Sequence, residues 1–246
     1  MTGLWNLIKR NCKLFFKDKG MFFSSLITPV ILLVLYATFL ASVYRDSFAS
    51  AMPEGFSIDA SLIDATVAAQ LISSLLAVSC VTVAFCSNLL IVQDKITGAR
   101  RDITVSPVKR STLAVSYFCA SAATTLIISF AALAVCLVYL ANAGWYMSCA
   151  DVICFALDVV LVTLFGVALS SCVNFPLTTQ GQMSAVGTIV SAGYGFLCGA
   201  YMPISNFSEG LQKVMSFLPG TYGTSLIRNH ALAGVYREMS RVGFPD

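Results

Sequence analysis

Across 246 residues the chain is 57% hydrophobic and only 11% charged, with a formal net charge of +3, whereas soluble globular domains carry charge on roughly a quarter of their residues. That balance excludes an ordinary soluble domain and points to an integral membrane protein with apolar runs long enough to cross a bilayer; no nucleic-acid partner is expected. The nine cysteines lie mostly inside apolar runs and form no CxxC pair. They read as small hydrophobes, with Cys149 and Cys198 the one pair placed for oxidation near the outer surface.

Residues 2–19 precede any spanning run. At about 100° per residue, Leu4, Trp5, Ile8, Cys12, Phe15 and Phe16 fall on one face and Lys9, Arg10, Lys13 and Lys17 on another. This is the pattern of an amphipathic helix lying in the membrane interface. A cleaved signal peptide, ending near "ASA" at 49–51, competes with it, but the apolar run after Lys19 exceeds the roughly 7–15 residues of a signal core. Residues 20–44 hold no charge and form the first expected span, with Thr28-Pro29 able to kink it. Further spans are expected at 65–93, 112–140, 148–173 and 181–201. The fifth is glycine-rich, and "GFLCG" sets Gly195 and Gly199 at the GxxxG spacing that permits close helix packing. Residues 203–246 hold no further spanning run and read as short amphipathic pieces, broken at Pro219-Gly220, that dip into the outer leaflet and return. The fold class expected is all-α: one polytopic transmembrane bundle with an N-terminal interfacial helix, five visible spans and short re-entrant external helices.

Basic residues in short loops favour the cytoplasm. Residues 1–19 carry five Lys/Arg against one acid and residues 94–110 carry five against two, while 45–61 carry one against three and 141–151 carry none. The N-terminus and the loop at 94–111 are therefore expected inside.

No GxxxxGK[ST] phosphate loop, HExxH or Ser/His/Asp set is present, and a single histidine excludes most metal and acid–base constellations. No catalytic residue, metal site or cofactor is expected in this chain. His230, beside Arg228 and Asn229, reads as solvated or capping. Asp158 falls about ten residues into the fourth span, near mid-membrane, where an ionisable group is costly. Two readings stand for it: it lines a substrate path, or it hydrogen-bonds to a Ser, Thr, Asn or Gln on a neighbouring helix and holds the bundle together. Asn88, Gln70 and Gln182 read as interhelical hydrogen-bonding groups.

The loop "DKITGARRDITVSPVKRSTL" could serve merely as a basic topology anchor, but the order of its residues is more specific. An acid stands four residues before a glycine, and a short helix-compatible stretch, Ser-Pro and a second basic pair follow. This resembles the first cytoplasmic loop of ABC-2-type transporter permeases. The likeness extends through the glycine-rich fifth span to "GAYMPISNFSEGLQKVMSFLPGTYGTSLIR", similar to that family's Gly-x-x-x-Pro element, paired re-entrant helices and Pro-x-Thr-Tyr turn.

The resemblance implies the membrane-spanning subunit of an exporter for hydrophobic or amphipathic substrates, in a bacterial cell membrane. A separate ATPase subunit would bind ATP and Mg, and a second permease copy or homologue would complete a dimer. It also implies that the interfacial helix and the 94–111 loop receive the ATPase, with Asp94, Arg100, Arg101 and Asp102 making polar contacts and Gly98 and Pro107 shaping the loop. Family members often carry Glu where this chain has Asp94. The family has a sixth span, and because this chain stops where that span would begin, a truncated chain or an incomplete sequence is expected. The alternatives are a self-sufficient channel or secondary transporter, for which internal repeats and midplane ion ligands would be the signs, or a membrane assembly subunit with no transport role.

Overall fold

A helix that is apolar or small on every side has to be enclosed by its neighbours. Residues 60–88 make such a helix, and it is the axis of the computed structural model, which describes residues 2–50, 60–201 and 207–241. The described residues form α1 (Thr2–Lys17), α2 (Lys19–Leu35), α3 (Ala41–Ser50), α4 (Ala60–Asn88), α5 (Leu90–Ile96), α6 (Ala99–Val105), α7 (Arg110–Ala143), α8 (Cys149–Asn174), α9 (Gln180–Leu197), α10 (Glu209–Ser216) and α11 (Pro219–Arg241). A π turn at Tyr36–Leu40 joins α2 to α3, and no strand occurs among the described residues. The all-α bundle is as expected.

Leu71, Ile72, Leu75, Leu76, Val78 and Val81 of α4 are all buried, with α2, α7, α8, α9 and α11 packed around them. Small residues let those neighbours approach. A Cβ on Gly166 of α8 would lie 3.1 Å from the Val81 backbone and 3.2 Å from the Ala84 side chain. Polar clamps close one end of this contact. Asn88 donates to Ser170 at 3.1 Å and Ser171 at 2.8 Å on α8, and accepts from Ser121 of α7 at 3.2 Å. Ser87 and Thr124 share a hydrogen bond of 2.5 Å. Each such bond contributes about 0.6 kcal/mol in a membrane protein.

Among the described residues three helices are long and apolar enough to cross a membrane, Ser61–Ile96, Arg110–Ala143 and Cys149–Asn174, and Gly3–Lys17 with Lys19–Leu35 forms a fourth if that pair, bent by 72°, is one span. The fifth span expected, at 181–201, is not among them. α9 has 18 residues and begins with the polar Gln180 and Gln182, and it is not among the helices that qualify. The first span also differs in detail. α2 continues through Pro29, and the irregularity falls at the π turn instead. At the corner between α1 and α2 the Asp18 carboxylate accepts from the Met21 amide at 3.2 Å, capping α2 as the chain changes direction.

The expectation of only short pieces after residue 203 is corrected as well. α10 is short, but α11 is one helix of 23 residues. Pro219 occupies its first position, where the missing amide costs nothing. α11 runs antiparallel to α8. Gly223 lies against Val162, His230 against Asp158 and Arg237 against Asp151. It therefore starts about halfway along α8 and climbs past the end of the bundle that carries the α7–α8 link, called here the far end, where Ile227, Ala231 and Leu232 are buried. All nine cysteines are free, and with Cys149 exposed and Cys198 buried the two do not pair.

At the far end Gly234 sits so close to the Tyr146 carbonyl that an added Cβ would overlap backbone. Gly234→Ala is expected to cost about 1–3 kcal/mol by forcing the helix outward. Gly187→Ala, where a Cβ meets nothing within 4 Å, is expected to change stability by less than about 0.5 kcal/mol. Thermal unfolding of the two variants in detergent checks this, and equal midpoints would contradict the packing of α11 on Tyr146.

Candidate functional site

At the end of the bundle opposite the α7–α8 link, α5 follows α4 after a single break at Leu89 and buries Leu90, Ile91, Val92 and Asp94. A buried carboxylate costs several kcal/mol unless it is paired and hydrogen-bonded. Asp94, 4% exposed, is both. Arg10 of α1 grips it with two bonds, 2.7 Å to Oδ2 and 3.1 Å to Oδ1, and the Tyr117 hydroxyl of α7 donates to Oδ2 at 2.5 Å. Three helices far apart in sequence thus meet on one carboxylate, with Leu90, Leu113, Leu7 and Leu14 packed beside it.

Beyond Asp94 the chain is latched a second time. Lys95 Nζ donates to the carbonyls of Phe175 and Leu177, the latter at 2.8 Å, and lies 5.3 Å from the Phe175 ring centroid. The Arg100 guanidinium lies 5.8 Å from the same centroid. Gly98 turns the chain between these contacts at φ +81°, a conformation that L side chains rarely adopt. α6 follows with no buried residue. Seven residues are too few to hold a helix in water unaided, so α6 depends on the latches at its start. On its outward side Arg101 and Asp102 are exposed, without an ion-pair partner among the described residues, and Val105 is 83% exposed. Ser106 is extended, as a residue before proline prefers. Pro107 is exposed, and α7 begins at Arg110.

The helix in front of this loop uses its faces differently from the periodicity. Asn11 and Phe15 are buried against the bundle, while Trp5 at 66% and Phe16 at 40% remain exposed beside the exposed Lys9, Lys13 and Lys17. α7 takes one half of the apolar face and leaves the other half free.

The family model for ABC-2 type transporters matches residues 2–231. The chain belongs to the ABC-2 type transporter family. No curated protein and no solved structure gives a match. The chain is accordingly an integral membrane protein and a transport permease, and its loop and α1 are the surface of that permease where charge is concentrated.

The remaining candidates lie elsewhere in the permease. Asp158 of α8 is 4% exposed and bonds not to a Ser, Thr, Asn or Gln but to His230 Nδ1 at 2.5 Å. His230, read from its neighbours as solvated or capping, is thereby corrected to the partner of a buried acid. One end of its helix carries a second such pair, Arg237 with Asp151. Arg228 of the same helix donates to the Gly199 carbonyl at 2.9 Å, and burial pushes its guanidinium down from the ordinary value.

Gly195 and Gly199 do not pack two helices together. Gly199 lies past the end of α9 at φ +66°, the amides of Ala200 and Tyr201 turn back to the Gly195 carbonyl, and the Tyr201 ring occupies the space a Cβ on Gly195 would need. The GxxxG spacing here closes a helix. Gln182 caps α9, accepting from the Thr178 and Thr179 amides, rather than bonding between helices. Gln70 makes no side-chain hydrogen bond among the described residues, whereas Asn88 bonds to two neighbouring helices.

The residues that sequence reasoning passed over are Arg10, Lys95, Tyr117, Phe175 and His230. Arg10 had a signal in its place on the cationic face of an amphipathic helix, but nothing in its spacing named Asp94 as its partner.

Two outcomes are expected. Asp94→Asn should cost about 1–3 kcal/mol, less than loss of a fully buried pair because the Arg10 side chain keeps 32% of its surface in solvent, and hydrogen exchange should rise in α1 and α6 while α11 keeps its protection. Asp158→Asn and His230→Gln should each lower the unfolding midpoint, and the double variant should lose no more than the worse single, a coupling of at least about 1 kcal/mol. Additive losses in that cycle would contradict the pair.

Proposed function

We propose that this chain is the membrane-spanning permease of an ATP-driven exporter, moving a hydrophobic or amphipathic substrate such as a drug, lipid or peptide across a bacterial cell membrane. In this reading α1 and the 94–111 loop face the cytoplasm and receive a separate ATPase subunit, which binds ATP and Mg. A second permease copy or homologue completes a two-fold assembly. The chain itself holds no catalytic residue.

The observation that carries the reading is the way α6 is held. A short helix with a bare, charged outer face is fixed at its start to α1, α7 and the α8–α9 link through Asp94, Lys95 and Arg100. A surface anchor needs positive charge only and gains nothing from a buried carboxylate joining three helices. A lever does, because a displacement of α6 is passed to several helices at once. Arg101, Asp102 and Val105 on the outer face are the contacts proposed for the ATPase, Arg100 and Asp94 position the loop from inside, and Gly98 and Pro107 set its two turns.

Reversing the outer face tests this. Arg101→Glu with Val105→Asp is expected to reduce co-purification with the partner ATPase at least tenfold and to abolish ATP-dependent transport, with the unfolding midpoint unchanged because neither side chain is buried. Retained complex and transport would overturn the coupling role, and transport by this chain without any ATPase would favour a self-sufficient transporter.

A further inference from the structure

On the inner side of α6, away from Arg101 and Val105, lies a cavity of about 510 Å³ between α6, the first turns of α7 and the end of α8. Its lining is of two kinds. Arg100, Arg110 and the hydroxyl-bearing Thr104 and Ser111 supply positive charge and hydrogen-bonding groups, while Leu113 and Phe175 supply an apolar floor.

No acid lines the cavity. Asp94 lies behind the lining residue Tyr117, whose hydroxyl donates to it, and its charge is already answered by Arg10. Among the described residues neither Arg100 nor Arg110 has a carboxylate partner. Arg100 is half-buried with its guanidinium over the Phe175 ring, 5.8 Å from the centroid, which favours one place for it before any ligand arrives. α7 begins at Arg110, its N-cap Lys109 gives it no side-chain cap, and the amides of its first turn favour an anion in the same direction as the two arginines.

Planar guanidinium groups beside hydroxyls match a phosphate, and basic pockets between membrane helices suit anionic headgroups. The floor distinguishes a lipid from a soluble phosphate, since the Phe175 ring, 56% exposed, and the exposed Ala114 would meet only water beside a free ion. We propose that this cavity holds the headgroup phosphate of an anionic phospholipid, with Arg100 and Arg110 on the phosphate and the glycerol and first acyl carbons on Leu113 and Phe175. The lipid then stands between α6 and the bundle, filling the gap behind the helix. This inference does not depend on the ATPase reading, and its primary measurement is made without that subunit.

Native mass spectrometry of the purified full chain in detergent, with phosphatidylglycerol or phosphatidylcholine added, reads it directly. Wild type is expected to retain phosphatidylglycerol in preference to phosphatidylcholine, and excess inorganic phosphate is expected not to displace it. Each arginine near an anionic headgroup contributes about fivefold, so Arg100→Gln with Arg110→Gln should weaken retention about 30-fold. Arg100→Lys with Arg110→Lys should keep most of it, and Arg101→Gln, on the outer face, all of it. The lysine pair and the unfolding midpoints separate loss of the site from loss of the fold. Equal retention by the glutamine pair, or equal retention of the two lipids, would overturn the proposal. Displacement by inorganic phosphate would make this a site for a soluble phosphate and overturn the lipid. A glutamine pair that keeps the lipid but no longer co-purifies with the ATPase would assign the cavity to the protein partner instead.

Discussion

One buried carboxylate organises the charged end of this permease. Asp94 lies where a charge is costly, and the cost is offset only because Arg10 and Tyr117 arrive together from two other helices. Apart from the bond of Arg10 to the neighbouring Asn11, the three groups have no other side-chain partner among the described residues, so the joint forms as a unit. Its consequences are geometric. The chain leading into α6 is tied to α1, α7 and the α8–α9 link, and α5 cannot move without carrying α1 and α7.

The far end is built on the same logic with different partners. α11 is held to α8 by Asp158–His230 and Asp151–Arg237, two acid–base pairs separated by about two helical turns. Between the ends runs α4, whose contacts are made by buried apolar side chains, large and small, and a few hydroxyl and amide clamps around Asn88. Directional polar pairs thus tie the outer helices to the bundle, at the charged end and along α8, and close packing fills the middle. Close packing transmits displacement without specifying it, and the ion pairs decide which helices move together. In the proposed role, a push on α6 enters through Asp94 and is carried along the bundle by contacts that lack the give of a polar interface.

What could be read in the sequence was what depends on neighbours in the chain. The helices at 112–140 and 148–173, the interfacial pattern of α1 and the order of acid, glycine and Ser-Pro in the loop all follow from local period and composition. So did the peculiarity of Asp158, because a charge in an apolar run is visible without a fold. Its partner was not visible. His230 lies 72 residues away, in a segment whose composition resembles a solvated loop, and only the antiparallel course of α11 along α8 brings the two together. Gly195 and Gly199 failed for a different reason. Spacing reports that two small residues share a face, but a helix end and a helix crossing both call for glycine, and only the left-handed Gly199 distinguishes them. Gln182 was misplaced in the same way, since an amide three residues past a threonine serves a cap as readily as a neighbouring helix.

The loop that first stood out for its charge therefore divides into two surfaces. Arg101, Asp102 and Val105 look outward and are held by nothing among the described residues; Lys95 and Arg100 look inward and are spent on Phe175, the carbonyls beside it and the cavity behind α6. A helix of seven residues has no stability of its own to lend to either surface. Its outward face is presented in a fixed direction only because its inward face is occupied, and a lever needs that direction to be fixed. The positive charge on the inner side is thus not surplus from a topology rule. It is what keeps the outer side from swinging free.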